Sequence, residues 1–248
     1  MANFAMTERT KSILAIIPAR GGSSGIPRKN VRMFGGKPLI AHTIDAAKRA
    51  PSVNRIIVST DDEEIARVAR ECGAEVPFLR PAELATSTSK VVDAVIHLLE
   101  KLKVDEHYEP THILLLQPTS PLRAADDIER AVALFNLRGA DSVVSVSRTE
   151  NVLMTKDEND ALTVQNPELL SSPNRQELLA FYKFDGSMIY LIKTEVFLKE
   201  RSFIAGKTIG YEIPRWRGAD LDLPQDFVVG ELIFKNLNEI ERSIQDFS

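Results

Sequence analysis

Cysteine is nearly absent from this 248-residue chain. Cys72 stands alone, which excludes an internal disulfide and a cysteine-rich zinc site, and leaves the thiol to pack as a small hydrophobe in a helix expected over 62–72. Histidine is scarce as well. His42, His97, His107 and His112 share no metal-binding spacing and form no Ser/His/Asp arrangement; His42 and His97 fall in expected helices, as packing or surface residues. Positive charge is not in excess: 31 basic side chains face 35 acidic ones, for a net charge of −4. That balance argues against a nucleic-acid surface. No run of eighteen apolar residues occurs, and the first eleven residues are polar and charged without an apolar signal core. A soluble, cytoplasmic protein with no membrane partner is expected. Internal repeats and low-complexity tracts are missing too.

What the chain does have is enough apolar sequence, 44 %, to bury a large core. Near its start, the apolar run Ile13–Ile17 reads as a buried strand and empties directly into Pro18-Ala-Arg-Gly-Gly-Ser-Ser-Gly-Ile-Pro-Arg-Lys-Asn30. Three glycines bring backbone N–H groups close to an anion, and Arg20, Arg28 and Lys29 neutralise charge that the amides alone could not hold. The two prolines favour a fixed loop. It is neither a Walker A loop, since no Gly-Lys-Ser/Thr follows, nor a dinucleotide fingerprint, since the G-x-G-x-x-G register is absent. A polyphosphate is the ligand this composition suits.

Strands and helices alternate beyond the loop. A helix is expected from Pro38 to Ala50, a strand over Arg55–Ser59, and a helix opened by the acids of 61–64. A third strand is expected at Glu75–Phe78, a long helix from Ser89 to Leu102, and a central strand at His112–Leu116. A helix over Asp126–Leu137 and a fifth strand at Ser142–Val146 complete the rhythm. This order predicts an α/β fold with a doubly wound, mainly parallel sheet. Residues 148–186 are polar and turn-rich; a strand over 187–192 and a helix over Thr194–Lys199 follow. The segment at about 148–200 is too long for a passive connection and too thin for a domain, so a single domain with an insertion over the ligand edge or against a second subunit is expected. Phe181, Tyr182 and Phe184 suit such an interface. A last strand over Thr208–Ile213 leads to a closing helix from Pro224 to about Ile244, with Phe227, Leu232, Ile233 and Leu237 at core spacing.

Ligands of open parallel sheets sit at the carboxyl ends of the strands. Three further segments fall there. Ser59-Thr-Asp-Asp62 follows the second strand, and Gln117-Pro-Thr-Ser-Pro-Leu-Arg123 follows the fourth, a rigid shelf of directional polar groups suited to a base, ribose or sugar. Asp220-Leu-Asp222 puts two carboxylates on one side of an extended segment, as surface charge or, beside a phosphate loop, as ligands of a divalent cation. Trp216 could stack on a base or anchor the last strand.

These segments, in order, resemble the acylneuraminate cytidylyltransferases (CMP-sialic acid synthetases, with their legionaminic and pseudaminic acid counterparts). The match runs through loop 18–30, Gly36-Lys-Pro-Leu-Ile40, Val58-Ser-Thr-Asp61, Leu116–Arg123, Arg175-Gln176 and the Asp220/Asp222 pair, over about residues 12–235. The resemblance implies a Rossmann-like nucleotide-diphospho-sugar transferase fold, a homodimer joined by the insertion, and transfer of CMP from CTP to a nine-carbon 2-keto sugar acid. It implies catalytic roles for Arg20, Lys29, Asp220 and Asp222, with Mg2+ on the two aspartates. Ala19, Arg20, Gly21, Gly22, Ser23, Asn30, Arg80 and Lys90 would bind the nucleotide. Arg80 reads either as a pyrimidine contact or as a surface cation. Gln117, Ser120, Arg123, Arg175, Gln176 and Asp185 would bind the sugar acid.

Four positions depart from the family's usual residues: Ser24 replaces a lysine, Ser87 an aspartate, Lys90 a serine, and Asp185 the asparagine of an Asn-Gly-Ala. The loop loses a cation and the helix facing it gains one, so Lys90 is a candidate substitute from the opposite wall. A slower enzyme, a different sugar acid or nucleotide, and a nucleotide-binding homologue without turnover are the alternatives. Asp185, acidic where an anionic sugar would sit, points away from plain N-acetylneuraminate.

Overall fold

A computed structural model describes residues 11–22, 25–150, 152–171, 180–184 and 188–247. The chain begins with β1 (Ile13–Pro18), then a small hairpin of β2 (Met33–Phe34) and β3 (Lys37–Pro38), and α1 (Leu39–Lys48). Next come β4 (Arg55–Ser59), α2 (Glu63–Glu71), α3 (Val91–Glu106), β5 (His112–Leu115), α4 (Ala125–Arg138) and β6 (Ser142–Thr149). The insertion holds the ribbon β7 (Met154–Lys156) and β8 (Leu162–Val164), the short α5 (Glu168–Ser171) and β9 (Phe181–Phe184). It rejoins the sheet at β10 (Tyr190–Lys193), and α6 (Thr194–Glu200), β11 (Thr208–Glu212), α7 (Pro224–Lys235) and α8 (Leu237–Gln245) close the chain.

The main sheet runs β11-β6-β10-β5-β1-β4. β1 pairs parallel with β4 and β5, and β11 pairs parallel with β6, while β10 enters antiparallel between β5 and β6. The strict side-chain alternation of a strand explains why β1 is apolar throughout. Ile13, Ala15 and Ile17 join the core under α1, α2 and α4, whereas Leu14 and Ile16 join the core under α3 and α6. β5 divides in the same way, with Leu114 on the first face and Ile113 and Leu115 on the second. Helices therefore cover both faces, as the doubly wound reading requires.

Four expectations need correction. Glu75–Phe78 is not a strand: only Glu75 bridges Ile57, and Pro77 removes the donor that a longer ladder would use. The closing helix breaks at Asn236 into α7 and α8, and Leu232, assigned to the core, is 58 % exposed. The insertion also contributes a strand that the turn-rich sequence conceals: β9 pairs antiparallel with the far end of β6, Val146 against Phe184 through Thr149 against Phe181. The long helix starts two residues later than expected and runs four residues further, to Glu106, before His107 turns left-handed at φ 52°.

Two outcomes follow for stability. Leu114 is fully buried, so Leu114→Ala is expected to cost about 3 kcal/mol in urea unfolding. Burial pushes the His112 imidazole down to about 4, with Lys11 and Lys193 adding to the effect. An ordinary histidine in the unfolded chain titrates near 6.5. Between those values the unfolded state binds the extra proton, so stability falls as pH falls from about 6.5 towards 4. The difference in melting temperature between the protein and His112→Gln should shift against the native histidine across that window.

Candidate active site

Two adjoining cavities lie over the carboxyl ends of β1, β4 and β5. The larger, about 590 Å³, is lined by Arg20, Gly25, Lys29, Asn30, Gln117, Thr119 and Asp222, among others. The smaller, about 220 Å³, is lined by Arg20, Arg80, Thr86, Ser87, Ser89, Lys90 and Gln117, among others. Pro18, Arg20 and Gln117 line both, so the two adjoin as chambers of one cleft.

The loop after β1 is shaped by close approaches. A Cβ on Gly25 would stand 2.2 Å from the Asp222 backbone oxygen, so only glycine lets the loop pass the acidic turn. Asn30, buried, donates from Nδ2 to the Arg20 carbonyl at 3.0 Å and closes the loop on itself. Gly21 N–H donates to Asp61 at 3.0 Å. Lys29 reaches across to Asp222 Oδ1 at 2.8 Å, its side chain 12 % exposed and that of Asp222 67 %. Arg28 behaves differently from the other two cations. Its backbone is left-handed and its guanidinium turns outward to Asp62 and Glu64, which raise its pKa further. The expected third phosphate cation is thus spent on the first turn of α2, where Asp62 also caps Ile65 N–H at 3.0 Å.

The opposite wall is more cationic. Arg80 is buried and pinned to the Ser59 hydroxyl (3.1 Å) and the Ser59 carbonyl; desolvation lowers its pKa. Its reading as a surface cation is thereby corrected: it forms the floor of the smaller cavity. Arg20 donates to the Thr86 carbonyl on that wall, and Lys90, exposed, lines it from the start of α3. No carboxylate lines the smaller cavity among the described residues.

The 117–123 shelf divides its residues between cleft and core. Gln117 lines both cavities, and Tyr190 lies near its side chain. Tyr190, on β10, has its pKa pushed up to about 12 by burial, with nearby Asp220 adding to the rise. Ser120 and Arg123, expected to contact the sugar, line neither cavity. Ser120 is buried with its hydroxyl on the Ala219 carbonyl (3.4 Å), and Arg123 is buried beneath the shelf. Its guanidinium donates to Thr43 Oγ1 (3.1 Å), the Gln117 carbonyl (2.8 Å) and the Met188 carbonyl, and burial lowers its pKa to about 9. The buried Thr119 hydroxyl, at the edge of the larger cavity, has no hydrogen-bond partner among the described residues.

Ala19 is buried and bonds the Ser59 carbonyl through its N–H at 3.0 Å, and Gly22 is exposed with open space around it. Ser23, Ser24, Arg175, Gln176 and Asp185 lie outside the described residues. Asp220 and Asp222 sit in a tight turn, Asp222 N–H on the Asp220 carbonyl at 3.1 Å, where an extended segment was expected. Asp222 lines the larger cavity and Asp220 does not. Two exposed carboxylates beside a cavity, with no cluster of three or more His, Cys, Asp or Glu among the described residues, make a donor set that fits a hard cation sharing its shell with phosphate oxygens. Tyr190, which sequence reasoning did not single out, begins the strand that pairs directly with β5 and lines neither cavity.

A mainly parallel sheet with a cation-lined cleft over its strand ends has close counterparts among solved nucleotidyltransferases. A CMP:2-keto-3-deoxy-manno-octonic acid synthetase complexed with CTP matches with a TM-score of 0.66, over 91 % of this chain and 99 % of that one, at 16 % identity. A 4-diphosphocytidyl-2C-methyl-D-erythritol synthase from Anaerococcus prevotii matches with a TM-score of 0.63 at 14 % identity, over 91 % of this chain and 96 % of that one. At these identities the likeness establishes the fold alone: the Rossmann-like α/β fold of nucleotidyltransferases. Residues 14–212 match the cytidylyltransferase family model, and the chain belongs to that family. The CMP-N,N'-diacetyllegionaminic acid synthase of Legionella pneumophila is 38 % identical over 232 residues, 90 % of this chain and 96 % of its own length. The N-acylneuraminate cytidylyltransferase of Streptococcus agalactiae is 33 % identical over 227 residues, 89 % of this chain but 53 % of its own length. This chain thus spans about half of the streptococcal relative.

The contact at Gly25 can be tested directly. Gly25→Ala must push the loop off the Asp222 backbone, so binding of CTP by calorimetry is expected to weaken at least tenfold. Far-UV circular dichroism should be unchanged.

Proposed function

We propose that the protein is a Mg2+-dependent cytidylyltransferase that activates a nine-carbon 2-keto sugar acid of the sialic or legionaminic type, forming the CMP-sugar and pyrophosphate. The observation that carries this reading is the two-chambered cleft, whose chambers share Arg20 and Gln117. The larger chamber offers Lys29, Arg20 and loop amides to a triphosphate. The smaller offers Arg80, Lys90 and the hydroxyls of 86–89 to the pyrimidine nucleoside. Gln117 and Tyr190 face the position for the sugar acid, which Arg175, Gln176 and Asp185 would complete. The 38 % identity to a legionaminic acid synthase over nearly its whole length supports an acid of that kind.

In the reaction the anomeric hydroxyl oxygen bonds to the α-phosphorus as the bond to the bridging oxygen of the β-phosphate breaks. Pyrophosphate leaves with the bonding pair, and the hydroxyl proton is released. Arg20 and Lys29 hold the phosphates in line and stabilise charge that spreads onto non-bridging oxygens. Asp220 and Asp222 would hold the magnesium ion, which when bound neutralises phosphate charge and acidifies the attacking hydroxyl. Binding triphosphate requires Lys29 to exchange its bond to Asp222 for phosphate oxygens.

The insertion supports a homodimer. β7 and β8 form a two-stranded ribbon separate from the main sheet, and such a ribbon alone is marginally stable. Leu153 just before it, Met154 and Leu162 on it, and Tyr182 and Phe184 on β9, are each about half exposed or more. A second copy covering them would bury this surface. Among the described residues no helix is long and apolar enough to cross a membrane.

Pyrophosphate release with CTP and Mg2+ across sialic, legionaminic, pseudaminic and eight-carbon ulosonic acids tests the reading. Turnover with a nine-carbon acid, reduced at least 100-fold in Asp222→Ala, is the expected result. CTP binding without turnover on any acid would favour a nucleotide-binding homologue. Light scattering coupled to size exclusion should give twice the chain mass, and Tyr182→Glu with Phe184→Glu should shift it towards the monomer.

A further inference from the structure

The turn that carries Asp220 and Asp222 has no helix or strand of its own, so neighbours must hold it. Its centre is fixed by Leu221. The Leu221 N–H donates to the Thr119 carbonyl at 2.9 Å, and the side chain is fully buried with Ile26, Phe34, Leu39 and Phe227. Gly230 on α7 makes room for it, since a Cβ there would stand 2.7 Å from Leu221 Cδ2. The upstream end is held by Arg217. Its Nη1 and Nη2 donate to Asp127 Oδ1 at 3.1 Å and Oδ2 at 2.6 Å, and Nη2 also donates to the Leu122 carbonyl at 2.9 Å. Asp127, in the first turn of α4, is 3 % exposed. It accepts further bonds from Ala124 N–H at 2.8 Å and the Tyr211 hydroxyl at 3.1 Å. One carboxylate therefore gathers the start of α4, the end of the shelf and strand β11 onto the residue three positions before Asp220.

We infer that Arg217 is a positioning residue for the metal-binding turn: its two-pronged hold on Asp127 anchors the segment from which Asp220 and Asp222 would share one divalent cation. The inference rests on the cytidylyltransferase reading and extends it to a side chain outside the cleft. A lysine cannot substitute, because a single ammonium has no fork to span both carboxylate oxygens and the Leu122 carbonyl together. Truncating Arg217 altogether would leave Asp127 buried without that cation, which destabilises the fold. The informative variant therefore keeps the charge and loses the fork.

The experiment measures CTP affinity by calorimetry with and without Mg2+, together with melting temperature, for the protein, Arg217→Lys and Tyr211→Phe. The ratio of the two affinities isolates the contribution of the metal. In Arg217→Lys that ratio is expected to fall at least tenfold, while CTP affinity without metal stays within twofold. Tyr211→Phe removes one bond to Asp127 and keeps the fork, so its ratio should stay within twofold even as its melting temperature falls. An unchanged ratio in Arg217→Lys would overturn the inference and leave Arg217 a purely structural residue. If Arg217→Lys does not fold, Asp127→Asn, which loses the fork while leaving no buried carboxylate unpaired and one acceptor for Arg217, takes its place with the same two outcomes. A native protein that binds CTP with no gain from Mg2+ would overturn the metal assignment itself, and the inference with it. A native protein that binds no CTP would refute the cytidylyltransferase reading instead.

Discussion

A buried cation under the floor of the cleft organises what lies above it. Arg123 is inaccessible, and its guanidinium holds carbonyls of the shelf and of the residue leading into β10 together with a hydroxyl of α1. Taking that charge out of water is costly, and the cost is offset only while its acceptors remain in place. The direction of Gln117, the seating of β10 beside β5 and the height of α1 are therefore not independent. Asp127, one turn further along, lies close enough to favour the charged form of Arg123 and itself holds Arg217. A buried arginine thus fixes the shelf from below, and a half-buried one holds the acidic turn from the side.

This arrangement shows why one edge of the sheet can hold chemically unlike groups so close together. The strands deliver their carboxyl ends to one line, and the loops inherit that alignment. The glycine-rich loop is kept open by its neighbours: Gly25 slides past the Asp222 backbone, and Asn30 ties the loop to the Arg20 carbonyl. The opposite wall carries cations because Arg80 is fastened to Ser59 at the end of β4. Precision here comes from backbone held by buried side chains.

Much of this was legible in the sequence, for definite reasons. β1 and β5 carry near-continuous apolar runs because both faces are covered; a strand with one wet face would alternate instead. The loop's glycines, the polar shelf after a buried strand and the paired aspartates each combine residue types that ordinary turns seldom need. What escaped was long-range pairing. Nothing near Arg28 distinguishes it from Lys29; only the fold brings Asp62 and Glu64 within its reach. Arg123 looks like a ligand-facing residue at the end of a polar motif until the partners 80 and 65 positions away are known. Glu75–Phe78 has strand-like composition, yet Pro77 leaves it one bridge. β9 is hidden because its partner, the far end of β6, extends beyond the apolar run that marks the strand.

The bond between Lys29 and Asp222 changes how the cleft should be pictured. An empty pocket lined with like charges would strain against itself and draw in whatever counter-ions were at hand. Here the loop and the acidic turn neutralise one another across the opening, one partner largely buried and the other largely exposed. An anion that claims the lysine frees a carboxylate in the same motion, and a cation that claims the carboxylate frees the lysine. Entry of the two is thermodynamically linked, each raising the affinity for the other by the same factor. The protein at rest is its own competing electrolyte, and a ligand of either sign arrives by exchange.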